Sequence, residues 1–365
     1  MRFQLLRFID WYLVGIVLIL VVGGVAMIYS LTFARSGSEL AFTQGAFVIL
    51  GWITASILAV FDYRRLRSFS LLLYLAVGLL LLGVTFYGTV VFGARRWIEI
   101  GAFQLQPSEL FKLVAVILIA RVLAARFGAI RFRDLFVVSL LLGLPITLVL
   151  KQPDLGTAGV IFLTFVIILT IAKLPRSLWV SIGLSLPILM LAIFLNLKDY
   201  QIDRVQVFLN PASDRYGSGY NVLQSLIAVG NGGLFGQGLG QGTQSQLDFL
   251  PVIHTDFIFA GMAEAVGFFG SFAFLVLFAA LIIRALMISH RAPDAFGSFL
   301  AFGIASLWFV QLAINVGMNL GLAPVTGIPL PFISYGGTAI VCNFIALGIL
   351  ESIAIRSQQG YFRTY

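Results

Sequence analysis

The 365-residue chain is 60% hydrophobic and only 10% charged, with a mean hydropathy of +1.03, a composition from which no water-soluble surface can be assembled. Its net charge of +8 does not mark a nucleic-acid binder, because the basic residues are spread among short gaps between apolar runs and do not cluster on one segment. The single cysteine, Cys342, excludes an intramolecular disulfide and a cysteine-based zinc site and reads as packing.

A helix needs roughly 20 apolar residues to cross the hydrocarbon. Such runs lie at about 11–31, 44–61, 69–89, 107–125, 135–150, 155–172, 178–196, 256–286, 298–320 and 337–355. The sequence therefore predicts an all-α integral membrane protein of ten spans, the fifth short enough to tilt or lie partly in the interface. The first run is long enough to span and predicts an uncleaved anchor. An even count puts both termini on one side. With that side cytoplasmic, the inner segments hold 15 of the 23 basic residues and the outer ones 8, the asymmetry of the positive-inside rule. No repeat or linker divides the chain, so 1–365 reads as one domain.

In that orientation the polar, Gly-rich or Pro-rich segments 93–109, 151–157, 197–255 and 321–337 all fall on the outer face. The 197–255 loop, between spans seven and eight, is too long for a mere connector and is expected to bind or catalyse.

Along the chain, Arg95, Arg96 and Trp97 sit at the outer interface. Pro107, Ser108, Glu109 and Lys112 then open a helix on which Glu109 and Lys112, three apart, share a face. These residues read either as interfacial decoration or as charges lining a polar cavity, with Arg95 and Arg96 as candidates for a phosphate. In the turn Lys151-Gln152-Pro153-Asp154, Asp154 is expected to cap a helix, while Lys151 offers a second cation to an anionic headgroup. Within the long loop, Val222, Leu223, Leu226 and Ile227 mark one face of a short surface helix. The tract Gly230–Gly242 after it reads either as flexible turns or as backbone N–H groups open to an anion.

His254-Thr255-Asp256 runs into the eighth span, where Asp256 is either a helix cap or a carboxylate kept ionised by the helix dipole and able to act as a base or metal ligand. Glu264 lies about two turns deeper and must be paired, protonated or solvated. The proline-rich 324–337 segment cannot be a regular helix and is expected to be an irregular or re-entrant loop.

The ordered set Arg96-Trp97, Gln106-Pro107-Ser108-Glu109, Gln152-Pro153-Asp154-Leu155-Gly156-Thr157, His254-Thr255-Asp256-Phe257-Ile258-Phe259 and Pro331-Phe332-Ile333-Ser334-Tyr335-Gly336-Gly337 resembles the SEDS family along essentially the whole chain. Gly242–Leu247 and Val325–Pro331 look most like its RodA branch. The resemblance implies a ten-span peptidoglycan glycosyltransferase of the bacterial inner membrane. It implies that the protein uses lipid II and works with a class B penicillin-binding transpeptidase in the elongation machinery. It also implies that Asp256 is the family's essential loop aspartate, and Glu109 and Lys112 its buried acid–lysine pair. The chain departs from the family pattern at Val252 and Ala265, where acids are usual.

The implied reaction needs a base for the acceptor hydroxyl and cations for the departing pyrophosphate. Asp256 is the candidate base, and Arg95, Arg96, Lys112, Lys151, Arg204 and Arg215 are candidate cations. The sequence leaves open whether Asp256 takes the proton or holds a divalent cation. Two rivals are a lipid flippase and a non-catalytic scaffold for a transpeptidase. Against a flippase, the polar material is concentrated on one face.

Overall fold

The computed structural model describes residues 8–91, 94–101, 103–195, 199–214, 217–247 and 249–362. Helices α1 (Trp11–Ser36), α2 (Glu39–Val60) and α3 (Arg64–Tyr87) lead into three short strands, β1 (Thr89–Val91), β2 (Ala94–Ile100) and β3 (Phe103–Leu105). Then come α4 (Pro107–Ala125), α5 (Phe132–Lys151), α6 (Leu155–Leu169) and α7 (Arg176–Leu195). Three short helices, α8 (Asp199–Leu209), α9 (Ser218–Gly232) and α10 (Thr243–Gln246), precede the long α11 (Ile258–Arg291), α12 (Ala295–Asn319) and α13 (Gly337–Phe362).

Each apolar run of the sequence falls on a helix. Among the described residues, α1, α2, α3, α5, α11, α12 and α13 contain segments long and apolar enough to cross a membrane. By contrast, α4 carries Glu109, Lys112 and Arg121, and α6 has only 15 residues. The fifth run is longer than its apolar stretch, because α5 starts at Phe132 behind a cap in which Asp134 Oδ2 accepts from the Arg131 N–H at 2.9 Å. Almost all of α4 is buried, as is most of α12, whose Trp308 is fully buried and donates to Asn343 Oδ1 of α13 at 2.9 Å. Leucines and phenylalanines stay exposed on α2, α3, α5 and α11, as expected where the solvent is lipid.

Two features were not anticipated. Strands from Thr89 to Leu105, overlapping the 93–109 segment, form an antiparallel ribbon of order β1-β2-β3, pairing Val90 with Arg95 and Glu99 with Gln104. The other is a break in α11 at Gly267, whose φ of 67° and ψ of −166° are open to glycine alone. The glycine tract threads into that break. Gln237 and Gly238 donate to the carbonyls of Glu264 and Ala265 at 2.9 and 3.0 Å, while Phe268 and Phe269 donate to those of Gly233 and Leu234 at 2.9 and 3.2 Å. A Cβ on Gly267 would stand 2.2 Å from the Gly236 nitrogen, so the packing admits no side chain. These N–H groups serve the helix and are not offered to an anion.

The predicted surface helix is α9, whose Ser225 hydroxyl, fully buried, donates to the Asn319 carbonyl at 2.8 Å. The 324–336 segment contains no helix or strand, as the prolines dictate.

Candidate active site

Asp256 lies in the turn just ahead of α11, and that turn is held from two sides. Ser334 donates its hydroxyl to the Thr255 carbonyl at 2.7 Å, and the Tyr335 N–H donates to the His254 carbonyl at 2.9 Å. From α12, Asn315 and Asn319 each donate a side-chain amide to the Asp256 carbonyl at 3.0 Å. Val252, near the start of the 251–257 turn, is held at φ 55°, a conformation a β-branched residue adopts only under constraint.

The Asp256 carboxylate does not cap α11. The helix begins behind Phe257, and one of its buried N-terminal donors, the Ala260 N–H, is taken by Asn319 Oδ1 at 3.0 Å. A cap supplied by another helix leaves the aspartate free for other work. Its carboxylate instead lies near Gly327 (φ 73°), on which a Cβ would stand 3.5 Å from Asp256 Oδ2.

The neighbouring charges are Asp154, Arg96 and Arg204. Burial raises the Asp256 carboxyl to about 6, the charge of Asp154 adds to the rise, and Arg96 and Arg204 oppose it. The expected helix-dipole stabilisation of the ionised form is therefore outweighed by desolvation. The group is still deprotonated at neutral pH, but it is poised to take up a proton.

Asp154 caps α6 as expected, accepting from the Thr157 N–H and hydroxyl at 3.0 Å each. Arg96, on β2, clamps the same turn. Its Nε donates to the Gln152 carbonyl at 2.8 Å, one amino group donates to the Pro153 carbonyl, and the other lies 3.8 Å from Asp154 Oδ2. Two of its five N–H groups are thus hydrogen-bonded, and the second amino group faces the Asp154 carboxylate.

The other candidates are distributed differently. Arg95 and Lys151 are exposed. Lys112 Nζ pairs with Glu109 Oε1 at 2.6 Å, with side chains only 2% and 4% exposed, and Arg215 lies outside the described residues. The pair is a closed unit inside α4, beside Cys342 of α13. Glu264 is fully buried and anchors the long loop, accepting from the Gln244 and Ser245 N–H groups of α10 at 2.8 and 3.1 Å. Among the described residues, no group of three or more His, Cys, Asp or Glu side chains is placed to hold a metal ion.

Asn315 and Asn319 were missed in the sequence. Their signal was two amides four residues apart in an apolar run, which share a helical face and need partners inside a membrane.

This arrangement, a half-buried carboxylate under the influence of two arginines beside a capped helix start in a bundle of apolar helices, defines a polytopic membrane protein. The chain belongs to the FtsW/RodA/SpoVE family of cell cycle proteins, which it matches over residues 4–359. It is 37% identical to peptidoglycan glycosyltransferase MrdB of Escherichia coli over 84% of this chain and 83% of that one. It is 38% identical to stage V sporulation protein E of Bacillus subtilis over 94% and 96%. Among solved structures, a chain of a peptidoglycan synthase complex that coordinates polymerization and crosslinking superimposes with a TM-score of 0.83 at 31% identity, covering 96% of this chain and 99% of that one. The rod shape determining protein RodA of Thermus thermophilus gives 0.70 at 28% identity, covering 95% and 96%.

Proposed function

We propose that the chain is a peptidoglycan glycosyltransferase that polymerises lipid II during cell elongation, with Asp256 as its general base. The observation that carries the assignment of Asp256 is its release from helix capping by Asn319, which leaves an ionised carboxylate beside Arg96 and Arg204. The relatives' glycosyltransferase activity supports the reaction class.

The acceptor sugar hydroxyl attacks the anomeric carbon of the polyprenyl-pyrophosphate donor. Its proton passes to Asp256 as the new glycosidic C–O bond forms, and the bond to the phosphate oxygen breaks with inversion from α to β-1,4. The electron pair leaves on the pyrophosphate, for which Arg96 and Arg204 supply positive charge. Arg95 and Lys151, exposed on the same segments, extend that field to the incoming headgroup. Glu109 and Lys112 act from a distance, holding α4 in place.

The ten helices α1 to α7 and α11 to α13 each cross the inner membrane, forming one domain over 1–365. The 197–255 loop with its short helices lies on the outer face, and both termini are cytoplasmic. The positive-inside count supports that orientation. A class B penicillin-binding transpeptidase is the partner, in keeping with the crosslinking complex that the fold resembles.

The test is lipid II polymerisation by purified wild type and Asp256→Asn at matched folded concentration. The expected result is glycan from the wild type only, and comparable yields would remove Asp256 from the chemistry. Stimulation of the wild type by a co-purified transpeptidase tests the partnership, and an unchanged rate counts against it.

A further inference from the structure

A second polar site lies on the membrane face opposite Asp256, between the starts of α3 and α5 and the end of α4. A cavity of about 610 Å³ is bounded there by Arg67 and Ser68 of α3, Arg121 and Arg126 at the end of α4, and Asp134 of α5. Three guanidinium groups thus confront a single carboxylate, and that carboxylate is already engaged. Asp134 Oδ1 pairs with Arg126 Nε at 3.3 Å, and its Oδ2 accepts from the Arg131 N–H at 2.9 Å. Arg121 is fixed by donating one amino group to the Ser70 hydroxyl at 2.8 Å, and that hydroxyl in turn donates to the Arg67 carbonyl at 2.9 Å. Arg67 itself is exposed and has no acidic partner among the described residues. The cavity is therefore a cationic hollow with preorganised donors, far larger than a single phosphate group.

What borders the hollow narrows its ligand. One turn further along α3, Leu71 and Leu72 are 45% and 62% exposed, and Leu75 beyond them is 60% exposed. Residues four apart share a helical face, so the face that presents Arg67 and Ser68 at the rim presents bare hydrocarbon deeper in the membrane. A free phosphate would use the rim alone, whereas an amphiphile uses both parts.

We propose that this cavity binds the phosphate headgroup of an anionic phospholipid, whose acyl chains lie along the exposed leucines of α3. Guanidinium groups match phosphate oxygens bidentately, and basic pockets between spans on the cytoplasmic side are suited to lipid headgroups. The proposal rests on the membrane topology given above and is independent of the role of Asp256.

The test is lipid retention by the full-length protein. Purified protein is equilibrated in equimolar phosphatidylglycerol and phosphatidylcholine, and the bound lipid is read by native mass spectrometry. Wild type is expected to retain phosphatidylglycerol preferentially. Arg67→Glu, at an exposed position, should lower that preference about tenfold or more, since each basic residue near an anionic headgroup contributes roughly fivefold. Its thermal melting in neutral detergent should match wild type, and Arg121→Gln serves as a second, milder variant. Excess inorganic phosphate should not displace the lipid. Equal retention of the two lipids by wild type, or an undiminished preference in both variants, would overturn the site. Displacement by inorganic phosphate would overturn its assignment to a lipid.

Discussion

Asn319 holds Asp256 from both ends of one amide: its Nδ2 donates to the Asp256 carbonyl and its Oδ1 accepts from Ala260 N–H, each at 3.0 Å. A residue on α12 thereby substitutes for the cap that the aspartate does not provide, and fixes the backbone on which the carboxylate is mounted. Asn319→Ala should leave the buried Ala260 N–H without a partner and the Asp256 carbonyl with Asn315 alone, a cost of about 1–3 kcal/mol. Polymerisation should fall further than the change in melting temperature explains. Unaltered activity at matched folded concentration would show that the turn positions itself without Asn319.

The raised carboxyl of Asp256 makes two opposite predictions for one substitution. As a base it must be ionised, so the rate should be maximal above about pH 6 and decline as pH falls through that value. Because the folded state holds the proton more tightly than the unfolded chain does, Asp256 contributes less to stability as pH rises from the ordinary aspartate value through about 6. Asp256→Asn should therefore lose about 10²- to 10⁴-fold or more in rate while gaining stability on the order of 1–3 kcal/mol at neutral pH. Thermal melting alongside the pH–rate profile reads both, and a variant that is less stable as well as inactive would point to a structural aspartate.

Arg96 offers a sharper test of geometry than of charge. Lysine keeps the charge but cannot reach the Gln152 and Pro153 carbonyls and Asp154 together. Arg96→Lys should therefore loosen the 151–154 turn and lower polymerisation at least tenfold, an expectation that rests on the loss of the fork. If Arg96→Lys matched wild type, a point charge would suffice there.

The Glu109–Lys112 pair should behave as a buried unit. Either Glu109→Gln or Lys112→Met alone leaves a charge without its partner, at about 3–5 kcal/mol. The double replacement should recover much of that stability, because the desolvation penalty disappears with both charges. Measured melting temperatures of the three variants would decide the matter. Strict additivity of the two single losses would mean that the side chains do not act as a pair.

The helices were legible in the sequence because membrane spans are written in composition: runs long and apolar enough to cross predicted helices that begin and end within a few residues of α1 to α7 and α11 to α13. Caps were legible too where a side chain serves its own helix, as Asp154 does for Thr157. What stayed hidden was long-range pairing between backbone and side chain. Nothing local announces that the glycine tract fills the break at Gly267, or that Glu264 is satisfied by the N–H groups of α10. The ribbon around Arg96 was equally obscure, since three short strands show too little alternation to stand out. The resemblance pointed to Asp256, but why that carboxylate is free became apparent only from Asn319, some sixty residues downstream.

The hydroxyl of Ser334 reaches back 79 residues to the Thr255 carbonyl, and this has a bearing on biosynthesis. A ribosome that has just released Asp256 has not yet made α12, the 324–336 segment or α13. During insertion the aspartate is thus present on an unsupported turn, whose partners Asn315, Asn319, Ser334 and Tyr335 are complete only once Tyr335 has been added. Chains that end before Ser334 therefore carry the aspartate on a turn without its hydroxyl support.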